Sequence, residues 1–160
     1  MLIALLLASM QAATAAPACP ATPVALPADY AGWNAATPVA AAAEPAAVAD
    51  AMLTVGRGAR ASLQPSGALK LPVTPRRAGT HGGLFAFEAA SQGRYRVALG
   101  AQLWVEVVAN GAALPSVAHG HGPACTAVRK IVDFDLRPGR YLLQVTGEPA
   151  TVALQILKVA

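Results

Sequence analysis

The chain has 160 residues, which is the length of a single domain. Its residues are 55% hydrophobic but only 5% aromatic, and alanine supplies much of the apolar content, so the core has to rest on valine, leucine and isoleucine with few rings. The net charge of +4 comes from basic residues scattered singly or in pairs, which excludes the basic arms typical of nucleic-acid-binding proteins. Arg76-Arg77 is the only adjacent arginine pair in the sequence, and we expect it to lie in a solvated loop.

Residues 1–18 predict a secretory signal peptide. The stretch from Met1 to Ala16 is apolar, carries no charged side chain and ends in small residues, and it is too short to span a membrane. It departs from the usual pattern because no basic residue precedes the apolar run, the first one being Arg57. Cleavage after Ala16 or after Ala18 fits the small residues. We therefore expect a periplasmic or secreted protein without a membrane span.

Residues 19–50 are rich in alanine and proline and predict an extended arm, since proline prevents a long helix. Tyr30 and Trp33 are its only large aromatic residues. Because such rings are usually buried, we expect the arm to lie over the rest of the domain, held by Trp33 and by a disulfide. A flexible tether to a surface, or an exposed aromatic pair for a ligand, is the alternative.

Cys19 and Cys125 are the two cysteines of the chain, and in an oxidising compartment an even number predicts a disulfide. Closing a loop of about a hundred residues stabilises by roughly 4–5 kcal/mol in the chain-entropy model. The rival interpretation is lipidation of Cys19, but the preceding residues lack the leucine expected three positions before a lipidated cysteine. The disulfide is favoured.

Residues 51–160 predict an all-β domain. The stretches from Gly83 to Leu99 and from Val132 to Val145 each contain alternating apolar residues, a glycine turn, the tripeptide Gly-Arg-Tyr and a second alternating run. Period-two alternation is typical of strands with one buried face, so we expect two hairpins. The predicted core face consists of Phe85, Phe87, Tyr95, Val97, Leu99, Val105, Val107, Phe134, Leu136, Tyr141, Leu143 and Val145.

Turn signals predict the remaining strands. Gly56 and Gly58 mark a turn between two short strands, and residues 69–73 predict an edge strand. Asn110-Gly111 favours a two-residue hairpin turn between strands at 103–108 and 112–118.

Residues 151–159 predict the strand that closes the sheet. Turns recur about every eight to twelve residues, and no segment shows a long helical period, a pattern typical of sandwiches. The sequence therefore predicts a single antiparallel β-sandwich, jelly-roll-like, at residues 51–160, after the signal peptide and the arm.

The order of these elements resembles the bacterial pre-peptidase C-terminal domain, a small jelly-roll-like β-sandwich found on secreted enzymes. The matching pieces are its opening strand pair at 53–63, its Phe-rich strand with the Gly-x-Tyr turn at 85–99, its Asn-Gly hairpin at 103–114 and its closing Gly-x-Tyr segment at 132–145. The match covers roughly residues 53–157. These motifs are structural, so the resemblance implies a fold rather than an activity.

The sequence also looks like short exported bacterial proteins that are sometimes labelled homogentisate 1,2-dioxygenase. Members of that enzyme family are much longer cupin-fold proteins whose iron site uses two histidines and a glutamate. No such arrangement can be mapped onto this sequence.

His119, His121 and Cys125 form the densest group of metal-ligand residue types. Residues two apart on a strand point to the same side, so His119 and His121 can chelate one transition-metal ion. Cys125 would be a third ligand, and His81 or Glu88 a distant fourth. Against this, glycines and a proline make the stretch a loop, and a cysteine in a disulfide cannot act as a thiolate ligand. The alternative is a disulfide-anchored surface loop.

Asp133 and Asp135 flank Phe134 on a predicted strand. Paired carboxylates serve acid–base chemistry or calcium binding, but on a β-surface we expect them to provide solubility or to pair with Arg129 or Lys130 on a neighbouring strand. No Gly-x-Ser-x-Gly motif or phosphate-binding loop is present in the sequence.

The sequence therefore predicts an exported, non-catalytic accessory or binding module without a cofactor, whose partner is a protein or glycan surface and not nucleic acid. The alternative is a small periplasmic metal-binding protein or metal-dependent oxygenase that uses the His119 and His121 loop.

Overall fold

A computed structural model describes residues 18–159. The predicted signal peptide lies outside the described residues apart from Ala18. The strands are β1 (Thr37–Ala40), β2 (Met52–Leu53), β3 (Gly58–Ser62), β4 (Gln64–Pro65), β5 (His81–Ala89), β6 (Gly93–Leu99), β7 (Trp104–Ala109), β8 (Ala112–Ala113), β9 (Ala118–Gly120), β10 (Lys130–Leu136), β11 (Gly139–Gly147) and β12 (Thr151–Val159). Short 3₁₀ helices lie at Ala28–Ala35, Pro45–Asp50 and Ser66–Ala68. None of the helices within residues 18–159 has the length and apolar character needed to cross a membrane.

The strands form two sheets that enclose one core. Sheet A has the spatial order β1-β3-β12-β6-β10-β9, and sheet B has the order β2-β5-β11-β7-β8, with β4 also paired to β5. All strand pairs are antiparallel except β1 with β3 and β2 with β5, which are parallel. Buried apolar side chains from both sheets pack together between them. The predicted all-β sandwich is therefore confirmed.

The two Gly-Arg-Tyr segments are crossings between the sheets. β5 lies in sheet B and β6 in sheet A, while β10 lies in sheet A and β11 in sheet B. The strands pair with their counterparts in the other segment, β5 with β11 and β6 with β10. The strands are where the alternation predicts them, but the prediction of two hairpins is wrong. One-sided burial is the same for a hairpin and for a crossing inside a sandwich, so the pattern does not distinguish them.

The glycine of each Gly-Arg-Tyr repeat starts the strand that follows the crossing. Gly93 has φ +157° and Gly139 has φ +155°, a backbone conformation that residues with a Cβ atom rarely adopt. The two positions are equivalent in the sandwich, because Gly93 is opposite the last residue of β10 and Gly139 is opposite the last residue of β5.

The tyrosine of each repeat donates a hydrogen bond to the connection between the two sheets. The hydroxyl of Tyr95 donates a hydrogen bond of 2.8 Å to the backbone carbonyl of Ser91, and the hydroxyl of Tyr141 donates one of 2.9 Å to the carbonyl of Arg137. In both cases the acceptor lies four residues before the tyrosine, in the connection itself. The repeat therefore encodes a connection that is stabilised by a hydrogen bond from its own tyrosine.

The predicted core face is buried with one exception. Tyr141 is half-buried at the start of β11, where its ring stacks on Phe87 with the ring centroids 5.7 Å apart. All other members of the predicted set are less than 9% exposed.

The N-terminal segment covers the outer face of sheet A. Tyr30 and Trp33 belong to the first 3₁₀ helix and are 4% and 8% exposed. They pack in a second, smaller apolar cluster with Ala98, Val128 and Leu157. Cys19 and Cys125 are joined in a disulfide with their Cα atoms 5.3 Å apart, and the amide of Val24 donates a hydrogen bond to the carbonyl of Cys125. The expected covering arm, with its aromatic and disulfide contacts, is present.

Part of that arm belongs to the sandwich itself. Residues 37–40 form β1, the edge strand of sheet A, parallel to β3. Pro38 is compatible with this place because an edge strand leaves some of its N–H positions unpaired. The segment 19–50 is thus more than an extended arm, and alanine-rich sequence without alternation gave no signal of the strand.

Two predicted strands differ from the structure. Residues 69–73 form no strand, and the predicted strand at 112–118 is reduced to Ala112–Ala113, with β9 starting only at Ala118. Pro72 and Pro115 interrupt the two stretches and cannot donate backbone hydrogen bonds. The Asn110-Gly111 turn is confirmed, with positive φ values of 51° and 76°.

Candidate binding site around Trp104

The outer face of sheet B is covered in part by the loop of residues 69–80. Glu106 on β7 and Gln144 and Thr146 on β11 point to this face, and all are at most 7% exposed. Each bonds the loop backbone, because a buried polar group needs a partner. The carboxylate of Glu106 accepts from the amide of Arg76 at 3.2 Å, Gln144 donates to a loop carbonyl, and Thr146 donates to the carbonyl of Arg77 at 2.6 Å. These side chains fix the loop over the sheet.

Trp104 lies beside this anchored loop. It is two residues before Glu106 on β7, so both side chains lie on the same face. The indole N–H donates to the carboxylate of Glu106 at 3.2 Å, and the carboxylate also accepts a short hydrogen bond from Gln144. The ring is half-buried. A network of buried polar groups thus holds an aromatic ring in one orientation at the surface.

Lys130 packs on the Trp104 ring. Its ammonium nitrogen lies 5.2 Å from the ring centroid, within range of a cation–π interaction, and donates to the carbonyl of Leu103 at 2.6 Å. Burial, and secondarily the positive charge of Arg77, lower the pKa of Lys130 below its ordinary value. The ammonium lies on a half-buried side chain and is therefore only partly solvated.

Three hollows meet at Trp104. One, of about 310 Å³, lies on the side of Arg76 and Ser116; a second, of about 350 Å³, lies on the side of Arg77 and Lys130. A smaller hollow of about 110 Å³ is also lined by His119. We call the two larger hollows, with Trp104, Arg76, Arg77 and Lys130, the Trp104 cleft.

The charges of the Trp104 cleft are mainly positive. Within residues 18–159 the ion pairs involve other basic residues, so Arg76, Arg77 and Lys130 have no carboxylate oxygen within 4.0 Å of a side-chain nitrogen. Glu148 lines the larger hollow, but its carboxylate accepts a hydrogen bond from Thr80 at 3.0 Å. Glu106 is buried and accepts hydrogen bonds from its neighbours. The cleft therefore combines an aromatic ring with basic groups that lack an acidic partner among the described residues.

The histidines of the predicted metal site are on the edge of sheet A. His119 lies on β9 opposite Val132, and His121 lies in the following loop; both are exposed. Cys125 is in the disulfide, and His81 lies on β5 in the other sheet, bonded to Thr80 and the carbonyl of Glu148. Among residues 18–159 the structure brings together no group of three or more His, Cys, Asp or Glu side chains suited to a metal ion. Metal binding by His119 and His121 stays a prediction.

Asp133 and Asp135 form ion pairs, but with different partners from those predicted. Asp133 makes a two-pronged pair with Arg96 at 2.7 and 2.8 Å, and Asp135 pairs with Arg94 at 3.1 Å. The partners lie directly opposite on β6, whereas Arg129 and Lys130 precede or begin the aspartates' own strand. The hydrogen bonds that Arg96 donates to Asp133 are the main reason that the pKa of Arg96 is raised, with Tyr30 adding to the effect.

The Trp104 cleft was not predicted as a site. Arg76-Arg77 is expected from the sequence to be a solvated pair, and both residues are indeed exposed. The usable signal is the alternation of Trp104 and Glu106 with buried valines on β7, which places a large ring and a carboxylate on an outward face. Only the tertiary structure shows that the arginine pair lies beside that ring.

No family model matches the chain, and no curated protein matches it. Among solved structures, the chain is similar to the pre-peptidase C-terminal domain of a collagenase from Bacillus anthracis. The TM-score is 0.42 and the sequence identity 16%, over 66% of this chain and 91% of that chain.

Proposed function

We propose that the protein is an exported, non-catalytic accessory module that binds a protein or glycan surface through the Trp104 cleft. The observation that carries the proposal is the rigid presentation of a half-buried tryptophan next to basic side chains without acidic partners among residues 18–159. Tryptophan and arginine are the residues most enriched among those that dominate binding energy. The cost of ordering the ring and the loop backbone on binding is low here, because Glu106, Gln144 and Thr146 already fix them.

The disulfide supports the exported character of the module. Disulfides persist in oxidising compartments and are rare in reducing ones, and Cys19 and Cys125 are bonded. Fractionation of the producing cells tests this part of the proposal. Recovery of the protein in the periplasm or medium, without the leading residues, is expected; recovery of the unprocessed chain in the cytoplasm would contradict it.

Binding is tested with a panel of immobilised neutral polysaccharides, acidic polysaccharides and extracellular proteins. The purified protein is expected to bind a member of the panel, and Trp104→Ala is expected to weaken that binding about tenfold or more. Met52→Ala is the matched control, because Met52 is an exposed apolar side chain, 44% accessible, on the opposite edge strand of sheet B. Equal loss in both variants, or no loss in either, would reject the Trp104 cleft as the binding surface.

A metal-binding protein or metal-dependent oxygenase remains the second candidate. The observation in its favour is that His119 lines a hollow together with Trp104 and Ser116, although Lys130 places a positive charge in the same hollow. Metal analysis of protein purified without a histidine tag separates the two proposals. A stoichiometric metal that is lost on changing His119 and His121 to alanine would favour the second candidate and reject the first.

A further inference from the structure

We infer that the ligand of the Trp104 cleft is an acidic glycan, whose carboxylate or sulfate group binds between Arg77 and Lys130. This inference rests on the proposed binding function and adds the chemical class of the ligand.

The hollow between Arg77 and Lys130 is suited to an anionic group. Both residues line it, and Lys130 is partly desolvated against the Trp104 ring. Neither side chain has a carboxylate oxygen within 4.0 Å among residues 18–159, so an anionic group bound in this hollow is attracted by both cations. The ammonium of Lys130 uses one donor on the Leu103 carbonyl and has further donors for an anion. Arg77 is exposed and presents a planar donor group suited to carboxylate or sulfate.

A glycan fits the hollow between Arg77 and Lys130 better than an extended acidic peptide does. Extended peptides usually gain affinity by adding a strand to a free sheet edge. At the hollow between Arg77 and Lys130, Trp104 of β7 is already paired with Thr146 of β11. β8 pairs with β7 only at Val108 and Ala109, so the unpaired edge of β7 faces the other hollow, which Ser116 lines. An extended peptide therefore finds no free strand edge at the hollow between Arg77 and Lys130. Side-chain hydroxyl and amide groups remain, and Ser116 and Gln102 provide them in the two hollows.

The shape of the cleft suits a chain of small units. The hollows of about 310 and 350 Å³ are each at the lower end of small-molecule sites, and they meet at one aromatic ring. Two adjoining shallow sites suit consecutive rings of a polymer better than one compact ligand. Basic groups occur in both, with Arg76 in one and Arg77 with Lys130 in the other, so charged groups on successive sugars can be met.

The test uses a polymer of galacturonic acid, its methyl-esterified form, a sulfated polysaccharide, neutral dextran and poly-glutamate as soluble probes, measured by calorimetry with the full protein. We expect binding to the acidic polysaccharides that weakens as salt is raised, since screening acts within about 10 Å at 0.1 M. Neutralising Arg77 with Arg77→Gln is expected to weaken it about tenfold. The matched control is Arg60→Gln, which removes the same charge from an exposed position on β3 in sheet A.

The outcomes separate this inference from the proposed function. The esterified and acidic polymers could bind equally, with binding unaffected by Arg77→Gln but lost in Trp104→Ala. That result would support the binding function of the Trp104 cleft and overturn the inference that its ligand is acidic. Preference for poly-glutamate over the glycans would overturn the glycan. Equal losses in Arg77→Gln and Arg60→Gln would show that only overall charge acts, and would overturn the site. A preference for carboxylate over sulfate polymers, or the reverse, identifies the group and supports the inference.

Discussion

Asp133 and Asp135 are two residues apart on β10, yet their ion pairs differ in exposure. The side chain of Asp133 is 4% exposed and that of its partner Arg96 is 25% exposed, whereas those of Asp135 and Arg94 are 58% and 48% exposed. A carboxylate removed from the first pair leaves a partly buried guanidinium without its partner. We expect Asp133→Asn to lower the free energy of unfolding by roughly 1–3 kcal/mol, less than for a fully buried pair.

Asp135→Asn is the matched control for this prediction, because it makes the same chemical change on the same strand at a solvated pair. Its loss in urea unfolding should be clearly smaller than that of Asp133→Asn, and it should decrease further at high salt. Equal losses in the two variants would show that burial of the Arg96 pair has no influence on stability.

Phe87 is the residue that tests the register of the core. Its side chain is fully buried and stacks on Tyr141. Truncation removes a large apolar surface and leaves a cavity, so Phe87→Ala should lower the free energy of unfolding by roughly 3–5 kcal/mol. Glu88→Ala, on the exposed face of the same strand, is the control and should change stability little. A loss well under 1 kcal/mol for Phe87→Ala would contradict the assignment of the inward face.

At the scale of elements, the loop 69–80 depends on Glu106 rather than on strand pairing. The carboxylate accepts hydrogen bonds from the loop amide of Arg76, from the Trp104 indole and from Gln144. In Glu106→Ala all these donors lose their acceptor, while the carbonyl contacts of Gln144 and Thr146 and the contacts at the two ends of the loop remain. We expect faster hydrogen exchange at the Arg76 amide and proteolysis after Arg76 or Arg77.

Glu148→Ala is the control for loop anchoring. Glu148 lines the same cleft but its carboxylate bonds Thr80 at the end of the loop, and it is exposed. If both variants expose the arginine pair to trypsin equally, the loop is held by its proline-rich sequence and not by Glu106. The measurement therefore decides whether the buried glutamate is the anchor.

The crossings are the second test at this scale. Tyr95→Phe removes the hydroxyl that bonds Ser91 and should cost about 1 kcal/mol, because the carbonyl loses its partner while the ring keeps its packing. Tyr141→Phe removes the equivalent bond to Arg137 on a half-buried ring, and water can replace it there, so its loss should be smaller. The reverse order in thermal or urea unfolding would contradict the role of burial at the two crossings.

Seen across the whole molecule, the sequence predicted what depends on local pattern and missed what depends on pairing between distant segments. Alternation located β5, β6, β10 and β11 and their inward residues, because side-chain burial has period two in any strand. It could not show that each Gly-Arg-Tyr segment crosses between sheets, since partner choice is set by tertiary packing. The strand at 37–40 was missed because Thr-Pro-Val-Ala has no alternation of its own. It is a strand only through its pairing with β3, which is distant in the sequence.

The candidate site illustrates the same limit. Trp104 and Glu106 stand out from the alternation of β7. The arginine pair that adjoins them is about thirty residues away along the chain, in a loop without a strand pattern. Its position follows only from the hydrogen bonds that side chains of β7 and β11 make with the loop backbone. The disulfide, by contrast, was predictable because two cysteines allow one intramolecular pairing.

The disulfide between Cys19 and Cys125 closes a large covalent loop, since the two cysteines are 106 residues apart in the sequence. Its reduction should lower the free energy of unfolding by roughly 4–5 kcal/mol in the chain-entropy model. The loosening should begin in residues 19–27, because Tyr30 and Trp33 stay packed on sheet A and β1 stays paired with β3. We expect the Val24 amide, which donates to the Cys125 carbonyl at 2.8 Å, to lose hydrogen-exchange protection first, while β5 and β11 keep theirs. A Cys19→Ser and Cys125→Ser double variant should behave in the same way without reductant. Uniform loss of protection across both sheets would contradict this order of events, as would two free thiols in the unfolded, unreduced protein or a lipid on Cys19.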